Sequence, residues 1–333
     1  MLADVVVSAG SDHSSPLCGV FERATQAVAN AVRFVLEREV VAAAQIVSEA
    51  LPSSILQGLP LCRLPYPTTW LEYAGHDRPE IAAIGTTIPH RVGLLCEAVA
   101  ESPGEFTVNV FWHLGGRDNR VELCPVALLI DMTAEGRVAR DPQSASQKRD
   151  ATIEGLQKLL LSSTQRWDQK VAANPRELEA MLALSNRIFF IRSTYFAPVA
   201  TAIVQHSGAG ALERLLNLSR PNAEAEAGFL LAILMLLNSR NGTSREPADL
   251  AKINTARRKQ GRHPLLDFCT VNLRLSASRS RALGRSDVPV HLMRAHLVRG
   301  HFKIRRSGIY WWSPHIRGDA KLGMIRKDYK VAL

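Results

Sequence analysis

The chain has 333 residues, 46% hydrophobic and 22% charged, proportions that exclude wholesale disorder and leave room for two domains. Its five cysteines (Cys18, Cys62, Cys96, Cys124 and Cys269) are odd in number and never approach CxxC spacing, which excludes a disulfide framework and a zinc ribbon and fits a reducing cytoplasm. The formal charge of +10 is concentrated at one end: residues 251–333 hold 19 Lys+Arg against 4 Asp+Glu, a net of +15, while the first 250 residues net −5.

The opening "MLADVVVSAGSDHSSP" has no basic n-region, so no secretory signal is expected. Residues 19–51, rich in Ala and Glu without internal Gly or Pro, place Val28, Val32, Val35 and Leu36 at helical spacing and predict one long amphipathic helix. "GLPLCRLPYP" (58–67) then breaks regular structure. "TTWLEYAG", "RVGLLCEAVA", "EFTVNVFWHL" and "VELCPVALLIDM" are β-branched and aromatic runs separated by short turn segments. They predict three or four antiparallel strands, because the connections are too short for parallel crossovers. Helical period returns over 145–171 and 175–197, with Pro175 at a helix start. After "SRPNAEAEAG" the run Ala227–Leu237, 11 residues long, predicts a buried helix and falls short of a membrane span.

"NSRNGTSREP" (238–247) is the expected domain boundary, separating an α+β body (1–240) from a basic, strand-rich C-terminal module (241–333). The module begins with a short basic helix, "ADLAKINTARRKQGR", and a strand, "PLLDFCTVNLRL". A polar loop, "SASRSRALGRSDVP", leads to a tail that alternates like two or three strands.

The chemistry lies in that tail. His291, His296 and His301 are five apart, which suits neither the i, i+4 spacing of helical metal ligands nor the i, i+2 spacing of strand ligands. No metal and no cofactor are expected, and the histidines read as strand residues or as contacts to phosphate and bases. Tyr310-Trp311-Trp312 sits between "KIRR" and "PHIRGDAK", aromatic faces interleaved with positive charge as single-stranded nucleic-acid binding needs. Alternation along a strand puts Tyr310 and Trp312 on one face and Trp311 on the other, so at least one of the three serves packing. "RRKQGRH" (257–263) is a candidate phosphate grip, or a solvated helix end. The chain contains no GxSxG, GxxxxGK[ST], HExxH or GxGxxG. The candidate contact residues are Arg257, Arg258, Lys259, Arg262, Arg294, His296, Arg299, His301, Lys303, Arg305, Arg306, Tyr310 and Trp312.

These same segments carry a resemblance. "LLNSRN", "AKINTARRKQGRHPLLDFCTVNL" and "RAHLVRGHFKI…YWWSPHIRGDAKLGMIRKDYKV", covering about a hundred residues, resemble a family of proteins encoded by tailed phages and prophages. In that family a K-x-N-x-x-R-x-x-x-G helix precedes a strand and an H-x-R-R-G-H segment leads to K-D-Y-x-V. The matching positions are Lys252, Asn254, Arg257, Gly261, His296, Arg299, Gly300, His301, Gly318, Lys327, Asp328, Tyr329 and Val331. The tail is also remotely similar to a type V-A anti-CRISPR family, which acts on the nascent effector nuclease and its message during translation. It departs from that family in reading "RGHFKIRRSGIYWWSP" in place of "RGHWHGYW" and a W-x-P strand. The resemblance implies a phage-encoded, cytoplasmic, non-enzymatic regulatory protein. Its module would engage RNA, a ribosome-associated complex, or an acidic surface of a host or phage protein. The alternatives are a virion or assembly protein lying against DNA, and a nuclease using His296 or His301 with Asp328 as orienter.

Overall fold

The structure is a computed structural model that describes residues 1–10, 18–78, 88–100, 102, 104–115, 120–133 and 153–274, and in the tail 294–298, 301–305, 308–312, 315–317 and 319–325. Its centre is a nine-stranded mixed sheet. The strands are β1 (Val32–Leu36), β2 (Thr68–Ala74), β3 (Arg91–Ala98), β4 (Glu105–Gly115), β5 (Arg120–Leu123), β6 (Val126–Asp131), β7 (Ile188–Arg192), β8 (Thr243–Pro247) and β9 (Cys269–Leu273). They run β7-β6-β4-β3-β2-β1-β9-β8 from edge to edge, and β5 pairs with β4 beside β6. The fold is therefore α+β, as expected.

Both faces of the sheet are covered, which explains why its central strands are continuous apolar runs without alternating polarity. On one face Leu71, Tyr73, Leu94 and Val108 pack with helices α3 (Arg38–Ser48) and the second half of α9 (Ala209–Asn238). On the other, Trp70, Leu95 and Phe111 pack with α1 (Leu2–Gly10), α2 (Cys18–Asn30) and α8 (Ala197–Ser207). Gly93 makes room for this second layer, because a Cβ there would lie 2.2 Å from the Trp70 ring. The remaining body helices are α4 (Pro52–Gly58), α5 (153–162), α6 (Arg166–Ala172) and α7 (Pro175–Ser185).

Several expectations need correction. The single helix over 19–51 is interrupted by β1, which runs parallel to both β2 and β9, so the sheet is mixed and not purely antiparallel. Val32, Phe34 and Leu36 also alternate, and pairing on both sides decides between the two periods. Arg33 closes α2 by donating to the carbonyls of Val28 and Ala29 at 2.9 and 2.8 Å. The helix expected over 175–197 ends at Ser185, and "IFFIR" becomes β7, antiparallel to β6. "VELCPVALLIDM" forms two strands, β5 and β6, parted at Cys124 and Pro125, since proline has no N–H to give a ladder. Conversely, the helix expected over 227–237 begins far earlier: α9 runs for 30 residues through Pro221. Finally, the boundary expected at 240/241 is crossed by the sheet, because β8 and β9 pair with each other and β9 pairs with β1.

Among the described residues no single helix is long and apolar enough to cross a membrane. The apolar stretch of α9 is instead the core: every residue from Phe229 to Leu237 is 4% exposed or less. One turn before it, Glu226 is 1% exposed. Its carboxylate pairs with Arg78 at 2.8 Å and accepts from the Tyr73 hydroxyl at 2.9 Å. The Arg78 guanidinium lies 3.6 Å from the Phe229 ring centroid and donates to Gln45 of α3 at 3.1 Å. This clamp ties α3, β2 and α9 together. Arg78→Met leaves a buried carboxylate unpaired and is expected to cost about 3–5 kcal/mol. The double variant Arg78→Met/Glu226→Met is expected to recover most of that loss, as measured by urea denaturation.

Candidate nucleic-acid interface

The tail forms five strands where two or three were expected: β10 (Arg294–Val298), β11 (His301–Arg305), β12 (Gly308–Trp312), β13 (His315–Arg317) and β14 (Asp319–Ile325). They make a three-stranded sheet, β13-β10-β14, and a two-stranded one, β11-β12. In β11-β12 the register pairs His301 with Trp312, Phe302 with Trp311, Lys303 with Tyr310 and Arg305 with Gly308.

Directly opposed residues of an antiparallel pair share a face, and the two faces differ sharply. On one, Trp311 is 1% exposed, 5.0 Å from the Phe302 ring, and belongs to the main core of the body. On the other, Trp312 is 36% exposed, with the Lys303 Nζ 4.6 Å from its ring centroid. Tyr310, half-buried, shares this face and its hydroxyl accepts from Arg240 at 3.5 Å. The split expected from alternation is the one observed.

The hairpin is held by the turn after α9. The Asn241 side chain donates to the Trp311 carbonyl and accepts from the Trp311 amide, both at 2.9 Å, acting as a one-residue neighbouring strand. Gly242 makes the turn possible, since a Cβ there would stand 2.1 Å from the Ser239 Oγ and 2.5 Å from the Leu236 carbonyl oxygen. Arg240 and Asn241 were not among the expected contact residues; "NSRNG" read as a domain boundary, and "LLNSRN" as part of the resemblance.

The second basic group is α10 (Ala251–Lys259) and the turn after it. Asn254 bonds both backbone groups of Leu265, at 3.1 and 2.7 Å, and Arg257 donates to the His263 carbonyl at 2.7 Å. Gly261, at φ 68°, ends the helix in the left-handed conformation that glycine tolerates. Arg258, Lys259 and Arg262 are exposed and Arg257 is half-buried. This group follows the end of β8, whereas Asn241 holds the hairpin at its start. The five residues of β8 separate the two by roughly 16 Å at about 3.3 Å per residue. The structure thus unites Lys303, Tyr310 and Trp312 on one face of the hairpin, while Arg257, Arg258, Lys259 and Arg262 belong to α10 and the turn after it. Arg294 and His296 lie in β10, where His296 pairs with Arg317 and Ile325. Arg299, Arg306, His291, Asp328 and the loop 276–289 lie outside the described residues.

Among the described residues no three His, Cys, Asp or Glu side chains come together as metal ligands. Burial pushes the Cys124 thiol up to about 12, and Cys62 and Cys96 higher still, so these three are poor nucleophiles at neutral pH. Burial also raises Glu97 above its ordinary 4.5, an effect partly offset by the bond from the Tyr195 hydroxyl at 2.8 Å. The folded state therefore holds this proton to higher pH than the unfolded chain, and stability falls as pH rises through the window just above 4.5. Glu97→Gln is expected to flatten that slope in a series of denaturation curves.

Trp311→Ala is expected to cost about 3–5 kcal/mol, like other large truncations in a core. Trp311→Phe should cost far less, because the Trp311 Nε1 is buried without an acceptor among the described residues and its loss removes an unpaired donor. Thermal denaturation of the two variants checks this.

No protein-family model matches the chain, and comparison with curated proteins and with solved structures found no similar protein.

Proposed function

We propose that this is a non-enzymatic regulatory protein that binds single-stranded RNA on the Lys303–Tyr310–Trp312 face. The observation that carries the reading is the division of two adjacent tryptophans, Trp311 buried as an anchor and Trp312 presented to solvent beside a lysine. A rigidly held, half-open indole with a cation over it offers a base a stacking surface and its phosphate a counter-charge. The exposed cations of α10 form a second phosphate contact that carries no sequence information. RNA is chosen over DNA on the resemblance of the tail to a family acting during translation, and the regulatory, phage-encoded role rests on the same resemblance.

Fluorescence anisotropy with a labelled RNA of about 12 nucleotides and its DNA equivalent, at about 50 and 200 mM salt, tests the reading. A truncation at Arg240 is unsuitable, because it removes β8, β9 and Trp311 from the core. Point variants serve instead. Trp312→Ala is expected to weaken RNA binding by about 1–3 kcal/mol, and Lys303→Ala to lower the salt slope by about one. Absence of binding at the lower salt, or an unchanged affinity in Trp312→Ala, would overturn the proposal. Equal affinity for the DNA would retain the face and remove the preference for RNA.

A further inference from the structure

The middle of α9 borders a feature that nucleic-acid binding leaves unused. A cavity of about 590 Å³ opens between α9, the α3–α4 corner, α6–α7 and β7. This lies within the range of small-molecule sites, roughly 300–1,000 Å³. Its inner wall is apolar, built from Ile55 of α4, Leu184 of α7, Phe189 of β7 and Leu231 of α9. Its polar groups are few. Arg220 and Glu224, one turn apart on α9, are both exposed and line it. The Arg220 guanidinium stands 4.2 Å from the Phe190 ring centroid and makes no ion pair among the described residues. The Trp167 ring also lines the cavity, while its Nε1 is buried away from the open space.

An apolar chamber bordered by a guanidinium that makes no ion pair among the described residues suits a ligand with an apolar body and an anionic head. We propose that this cavity binds a medium-chain carboxylate, for which decanoate is the probe. The chain would lie against Leu184, Phe189 and Leu231, and the carboxylate would pair with Arg220. A carboxylate accepts charge-assisted bonds from a guanidinium and supplies its counter-charge. A quaternary ammonium offers Arg220 no acceptor, and a neutral alcohol offers one without the counter-charge. Glu224 opposes an anion, which gives the proposal a sign that can be read.

Isothermal titration calorimetry of the full chain with decanoate, decyltrimethylammonium and decanol provides the test. Decanoate is expected to bind most tightly of the three. Arg220→Gln should weaken it at least about tenfold, as loss of a charge-assisted bond does, and Glu224→Gln should tighten it. Gly228, in the cavity wall, supplies an independent variant: a Cβ there meets nothing closer than Ser48 at 3.9 Å. Gly228→Leu should fill the space and abolish binding while urea denaturation confirms a stable fold. The Trp167 indole N–H resonance, identified by its loss in Trp167→Phe, should move on addition of decanoate. Tighter binding of decyltrimethylammonium, unchanged decanoate binding in Gly228→Leu, or no binding of decanoate would each overturn the proposal.

Discussion

A buried charge shapes this molecule. Glu226 sits at the threshold of the most apolar stretch of α9, where an ionised carboxylate without partners would cost several kcal/mol. Arg78, Tyr73 and the Phe229 ring surround it, and each comes from a place that fixes a different layer: the turn after β2, β2 itself, and the next turn of α9. Removing water from such a cluster is tolerable only when every member is satisfied. The clamp therefore admits one arrangement of α9 over the sheet. Glu72 plays a comparable part on the opposite face. It is fully buried and accepts from the amides of Leu2 and Ala3, from the Trp70 indole at 3.0 Å and from Arg91, so it caps α1 and fastens it to β2.

With α9 fixed, its two ends acquire different roles. Its C-terminus leads directly into Ser239–Gly242, a turn tight enough to exclude any side chain at 242. The hairpin is hung from this turn by one asparagine and one buried indole. Burying Trp311 commits its neighbours to the opposite face, so the exposure of Tyr310 and Trp312 follows from the packing of the residue between them. The half of α9 before the clamp is wet on one side and lines the cavity with Arg220 and Glu224. One helix thereby links the hairpin that carries Trp312 with the cavity beside Arg220.

Two asparagines do similar work at opposite ends of β8. Asn241 bonds both backbone groups of Trp311, and Asn254 bonds both backbone groups of Leu265. A primary amide carries a donor and an acceptor side by side, which lets it stand in for a strand where no strand is present. The basic helix and the aromatic hairpin are thus each pinned by an asparagine side chain, with Arg258, Lys259, Arg262 and Lys303 exposed.

Much of the local structure was legible in the residues. The apolar runs of β2, β3 and β4, the helix starting at Pro175, the basic helix ending near Gly261 and the two faces of Tyr310–Trp312 all follow from period, propensity and turn chemistry, which act over a few neighbours. The charge asymmetry was likewise explicit, and it pointed to α10 and the tail. Tertiary structure decided the cases in which local signals conflicted. Val32–Leu36 satisfies a helical and a strand period equally, and only the neighbours β2 and β9 select the strand. Pro221 has no N–H to give the helical ladder, yet burial of the following turns keeps α9 continuous. "IFFIR" continues a helical run until β6 offers it a ladder, and "NSRNGTSREP" reads as a linker although β8 is the edge of the main sheet. The Glu226–Arg78 pair, 148 residues apart, and the cavity beside Arg220 left no mark in the sequence, because a contact at that separation has no period and a cavity is made of residues that are individually ordinary.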